Sequence, residues 1–186
     1  MPSKFFTPDP PLQQKLNQVL DLTWARFPNL AQNQIAITWL AYTPPYIVNT
    51  GGALSVDDFW QRPPQGASYR GVECIYPASV IKLFYLVAIH EWLERGMTQP
   101  SLELERAIRD MIVDSSNDAT GYVVDVLTGT NSGPELSPGP FETWKHQRNL
   151  VNRYLKSLNW PELVTVNANQ NTWCDGPYGR ERDFLG

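Results

Sequence analysis

Ser79 and Lys82 stand near the head of an apolar run, Tyr76-Pro77-Ala78-Ser79-Val80-Ile81-Lys82-Leu83-Phe84-Tyr85-Leu86-Val87-Ala88-Ile89, whose one charged residue is Lys82. On a helix, residues three apart share a face, one turn from each other. A helix apolar nearly all round is expected to be buried. A buried ammonium must find partners or give up its proton. A neutral lysine beside a serine hydroxyl is an amine base for an oxygen nucleophile. Pro77 sets the helix start near Ser79, where unpaired N–H groups and the helix dipole favour developing negative charge. His90 falls on nearly the same face but about 16 Å along the axis, too far to be the direct base. Plainer roles also fit: Ser79 as a helix cap, and Lys82 extending its head out of a buried helix.

A second group follows in Asp114-Ser115-Ser116-Asn117-Asp118-Ala119-Thr120-Gly121. Ser115-x-Asn117 opens a new helix and offers a hydroxyl and an amide. Ser115 with Asp118 also fits a simple capping pattern. Ser157-Leu158-Asn159 repeats the text at a helix end before Pro161, and is read as incidental.

The elements that position these residues follow from periodicity. Leu12, Leu16, Val19, Leu20 and Trp24 predict an amphipathic helix over 12–26, stopped near Pro28. Residues 35–42 and 46–50, joined by Thr43-Pro44-Pro45, read as an antiparallel hairpin closed by Gly51-Gly52. Residues 53–72 read as an irregular connection. Helices are expected at about 79–95, 102–113 and 117–128, with Gly96 as a C-terminal glycine, then a loop over 131–140 and one helix from about 142 to 158. Residues 167–186 are polar and turn-rich, and Arg180-Glu181-Arg182-Asp183-Phe184-Leu185-Gly186 resembles the middle of a loop. A two-stranded hairpin is marginal alone, so either the sheet is very small or further strands are expected beyond Gly186.

Ser79-x-x-Lys82 followed by Ser115-x-Asn117 resembles the motif set of the penicillin-recognising serine enzymes, the class A β-lactamases and penicillin-binding DD-peptidases. The likeness is to β-lactamase-related serine hydrolases of bacteria rather than to a resistance enzyme proper. It implies an α+β fold of the β-lactamase/transpeptidase type, an antiparallel sheet packed with a helical block. The chain would be the N-terminal part of one such domain: helix and strand pair 10–52, connection 53–76, catalytic helical block 77–160, terminal loop 161–186. By the same resemblance Ser79 is the acylated nucleophile and Lys82 its base, directly or through a water. Ser115 relays a proton to the leaving nitrogen, Asn117 holds Lys82 and a substrate amide, and the Ser79 N–H forms half of an oxyanion hole.

The chain departs from the family in three places. Ser116 replaces the usual central aspartate of the second motif, and the gap between the motifs is shorter than in class A. In the family's Arg-x-Glu-x-x-Leu-Asn pattern, aligning Leu185 puts Arg182 where the deacylating glutamate belongs and Glu181 one place away. The triplet Arg180-Glu181-Arg182 is read as a solvated charge run. No lysine is followed by Thr-Gly or Ser-Gly, so the third motif strand is expected beyond Gly186.

Composition sets limits on partners. The net charge is −4, which gives no basic footprint for nucleic acid. No stretch of about 20 apolar residues suggests a membrane span. Residues 1–11 do not form a signal peptide, so a cytoplasmic chain is expected as written, or a periplasmic one if a leader has been removed. Cys74 and Cys174 read as buried thiols, and neither a metal nor a cofactor is expected. Trp39, Trp60, Trp92, Trp144 and Trp160 read chiefly as core. Lys145, His146, Arg148, Arg153 and Lys156 read as a solvated basic helix surface. The expected partner is a small β-lactam or peptide-like acyl donor. The rival expectation is a binding or sensing module that keeps the acylation site without turnover.

Overall fold

The computed structural model describes residues 6–42, 63–71, 76–160, 163, 166–170, 176 and 178–185. The chain divides into two units, Met1–Ile75 and Tyr76–Gly186. Its class is α+β, with seven helices and a three-stranded sheet among the described residues.

In the first unit, β1 (Thr7–Pro8), β2 (Ile37–Ala41) and β3 (Gln65–Tyr69) form a sheet of order β1-β3-β2. β2 and β3 run antiparallel and β1 joins β3 in parallel, so the sheet is mixed rather than wholly antiparallel. β3 lies in the stretch 53–72 expected to be irregular. Gln65-Gly66-Ala67-Ser68-Tyr69 has almost no apolar alternation, and pairing with two neighbours makes it a strand. Gly66 is required there, because a Cβ would sit 2.4 Å from the Phe6 ring. The expected second hairpin strand, 46–50, lies outside the described residues, as do Cys74, Cys174 and Trp60.

Helix α1 (Pro10–Arg26) starts two residues earlier than periodicity suggested. Asp9 caps it by accepting from the Leu12 N–H at 2.9 Å, and prolines suit the first helical positions. Its buried face, Leu12, Leu16 and Leu20, packs on Ala67 of β3. Gln13 Oε1 accepts from the Ser68 N–H at 3.0 Å and ties helix to strand.

The second unit is helical. A 3₁₀ turn, Ala78–Ile81, leads into α2 (Lys82–Glu94); α3 (Leu102–Val113), α4 (Asn117–Thr128), α5 (Pro138–Arg148), α6 (Leu150–Ser157) and α7 (Arg180–Leu185) follow. Tyr85, Ala88, Ile89 and Trp92 of α2 meet Met111, Val123, Leu127, Val151 and Leu155 in one core. A fully enclosed side chain such as Ile89 contributes about 1.5–3 kcal/mol by leaving water. Trp92 Nε1 donates to the Leu127 carbonyl at 3.0 Å, so its polar edge is satisfied inside that core. No helix of the described residues is long and apolar enough to cross a membrane.

Five expectations are corrected here. The apolar run is not buried all round, because Val80 of the 3₁₀ turn and Leu83 and Val87 of α2 are exposed. The helix expected over 142–158 is two, broken at Asn149, and the first begins at Pro138 in the stretch read as a loop. Residues Arg180–Leu185 form a helix rather than loop. Trp92 and Trp144 are core residues as expected, whereas Trp39 and Trp160 are exposed. Finally, Arg148 and Glu181 are not solvated. They are 5% and 1% exposed and lie 3.5 Å apart, with Arg148 also 2.5 Å from Asp125 Oδ1. Burial raises the Asp125 pKa, Arg148 pulls it down, and the nearby Glu181 charge pushes it up.

Candidate active site

The backbone around Ser79 is shaped before any side chain acts. Pro77 fixes the entry, and Ala78 takes a left-handed φ of 47°, uncommon for a residue with a Cβ. The chain then turns through the 3₁₀ segment and delivers Lys82 as the first residue of α2. Ser79 is exposed and Lys82 is 3% exposed, with Lys82 Nζ 3.1 Å from Ser79 Oγ.

The α3–α4 connection supplies the other partners. Ser116 caps α4, its Oγ accepting from the Ala119 N–H at 3.2 Å. The capping role read for Ser115 therefore belongs to its neighbour. Ser115 takes a left-handed φ of 52°, which turns both its carbonyl and its hydroxyl toward Lys82. Lys82 Nζ donates to the Ser115 carbonyl at 2.6 Å, and lies 3.0 Å from Ser115 Oγ and 3.0 Å from Asn117 Oδ1. Ser79, Lys82, Ser115 and Asn117 thus converge on one nitrogen.

The hydrogen-bond inventory at that nitrogen limits its chemistry. The Ser115 carbonyl and Asn117 Oδ1 can only accept, whereas the two hydroxyls can donate or accept. A protonated lysine has three N–H groups for these four oxygens. A neutral lysine has two, enough for the two obligate acceptors, and its lone pair is then open to a serine hydroxyl. Burial lowers the Lys82 pKa from its ordinary 10.5. No carboxylate among the described residues pairs with it, so no counter-charge offsets that effect.

Ser79 and Lys82 open onto a cavity of about 330 Å³, within the range of small-ligand sites. Asn117 lines it too, as do Asn167, Asn169 and Gln170, which sequence reasoning passed over as a polar turn. The available signal was three amides in four positions, Asn167-Ala168-Asn169-Gln170. Glu181 is absent from the cavity wall and is held by Arg148. His90 is exposed near the far end of α2. No group of three or more His, Cys, Asp or Glu side chains able to hold a metal occurs among the described residues.

No family model, no curated protein and no solved structure matches this chain.

Proposed function

We propose that the chain is a serine acyl-transfer protein of the β-lactamase-related type, in which Ser79 is acylated by a small amide, ester or β-lactam. The observation that carries this reading is the placement of buried Lys82 Nζ 3.1 Å from Ser79 Oγ, with Ser115 and Asn117 as its remaining partners. The motif resemblance of Ser79-x-x-Lys82 and Ser115-x-Asn117 supports it.

Neutral Lys82 takes the proton of the Ser79 hydroxyl as Oγ attacks the acyl carbon. The Oγ–C bond forms and the bond from that carbon to its leaving nitrogen or oxygen breaks. The proton passes from Lys82 Nζ to the leaving atom, with the Ser115 hydroxyl, 3.0 Å from Nζ, as relay. The carbonyl of Ser115 and Oδ1 of Asn117 keep Nζ in place throughout.

A second reading, an acylated sensor rather than a turnover enzyme, is favoured by one observation. No carboxylate among the described residues lines the cavity to activate a water against the acyl-enzyme.

Intact mass after incubation with a penicillin and, separately, with a p-nitrophenyl ester tests both. A mass gain on the parent and none on Ser79→Ala is expected. Repeated release of p-nitrophenolate identifies an enzyme, and a single stoichiometric burst a sensor. No adduct from either reagent on folded protein counts against acyl transfer.

A further inference from the structure

Asn152 of α6 is a polar side chain 3% exposed, and it braces one wall of the cavity from behind. Its Oδ1 accepts from the Ala168 N–H at 2.7 Å and its Nδ2 donates to the Ala168 carbonyl at 3.2 Å. One side-chain amide thus satisfies both backbone groups of a single residue, as a neighbouring strand would. The same Nδ2 lies 3.0 Å from Asn167 Oδ1 and 2.6 Å from Asn149 Oδ1. Ala168 is turned into the helical core, while Asn167 and Asn169 line the cavity that holds Ser79.

The amide ends of that wall are sorted. Asn167 Oδ1 accepts from Asn169 Nδ2 at 2.8 Å and shares the two N–H groups of Asn152 with the Ala168 carbonyl and Asn149 Oδ1. Its acceptor end is therefore engaged within the protein and its Nδ2 is left over. Asn169 has one of its two N–H groups engaged, and its Oδ1 is left over. Neither remaining end has a partner among the described residues. An open donor on Asn167 and an open acceptor on Asn169, on one cavity wall, match the C=O and N–H of an uncharged peptide group. A carboxylate, which only accepts, could take the open N–H groups but would leave Asn169 Oδ1 without a donor.

We propose that Asn167 and Asn169, positioned by Asn152, form an amide-recognition subsite that selects an acyl donor carrying an uncharged, peptide-like amide. Its place in an acyl transfer rests on the reading of Ser79 given above, but the recognition itself does not.

The test uses the full chain carrying Ser79→Ala, so that no chemistry intervenes, with ¹⁵N-labelled Asn and Gln side chains. N-acetylalanine methylamide is titrated against N-acetylalanine with its free carboxylate. The expected result is saturable shifts of the Asn167 and Asn169 side-chain signals, and at least fivefold tighter binding of the methylamide. Asn167→Ala, at an exposed position, and Asn169→Ala, at a half-buried one, should both fold, and each weakens the methylamide at least fivefold. Asn152→Ala removes the preference between the two probes, a readout that general loosening, which weakens both alike, does not move. Equal or tighter binding of the carboxylate overturns the proposal, as does unchanged methylamide affinity in both Asn167→Ala and Asn169→Ala. Acylation of the parent Ser79 by a p-nitrophenyl ester is followed in parallel. Selective methylamide binding without any acylation removes the acyl-transfer reading and leaves the subsite standing.

Discussion

The nearest partner of Lys82 Nζ is the backbone carbonyl of Ser115, 2.6 Å away, nearer than any of the three side-chain oxygens around it. The position of the amine is thus set by main chain, and the main chain by the left-handed φ of Ser115. The side chains can then exchange a proton without moving the nitrogen.

Lys82 has a pKa below its ordinary 10.5 because burial disfavours its charge. Between that lowered value and 10.5 the unfolded chain holds a proton that the folded chain has released. Stability therefore rises with pH across this window, and the cost of the buried charge is fully present below it. The second-order rate of Ser79 acylation should rise over the same approach, with a midpoint below 10.5. Lys82→Met should flatten the rise and lower the rate by about 10²–10⁴. A midpoint at or above 10.5 would show that the amine is not the base.

Ser115→Ala and Ser115→Gly separate hydroxyl from backbone. Both lose the relay oxygen and keep the carbonyl on Lys82, so both should slow acylation by similar factors. Only glycine relieves the left-handed strain, which costs an L-residue about 1–2 kcal/mol, against about 0.4–1 kcal/mol of extra freedom gained when unfolded. Urea unfolding should find the glycine variant more stable than the alanine variant by roughly 1 kcal/mol. The reverse order would mean that φ at this position is not strained.

Arg148 is enclosed between Asp125 and Glu181. Arg148→Ala removes the cation that lies between Asp125 and buried Glu181 and should cost about 3–5 kcal/mol. Replacing both members of the buried pair, Arg148→Met with Glu181→Leu, should recover a large part of that loss. Denaturant midpoints of the single and double variants check this, and a double variant no better than Arg148→Ala would contradict it.

The Tyr85 hydroxyl is buried without a hydrogen-bond partner among the described residues, and burial raises its pKa. Tyr85→Phe removes the orphaned group and keeps the ring in the core. It should be neutral or stabilise by up to about 1–2 kcal/mol. A loss of more than about 1 kcal/mol would reveal a partner for the hydroxyl.

Where the sequence speaks through local chemistry, the reading holds closely. Helices α3 and α4 have the expected bounds because Ser101 and Ser116 cap them and Gly129, at φ 63°, ends α4. The convergence of Ser79, Lys82, Ser115 and Asn117 was legible as spacing on two helix starts. What escaped is tertiary. β3 is a strand by pairing alone. Pro138 and Pro140 read as loop, yet proline suits the first turn of a helix, and α5 begins there. Glu181 between two arginines reads as surface, and only the packing of Arg148 reveals it as buried. Asn152 reads as one more helix amide until its pairing with Ala168 is seen.

Ala78 and Ser115 both hold backbone angles that neither residue prefers, one on each side of Lys82. Such angles persist only where the surrounding fold imposes them. The arrangement therefore cannot be transplanted by copying four letters onto another helix pair, and a short peptide carrying them would be inert. On warming, these two positions should relax before the helices that flank them. The loss of Ser79 acylation should then precede the loss of helical circular dichroism. An acylation assay and a melting curve on the same sample should therefore give two different temperatures, that of the assay being the lower.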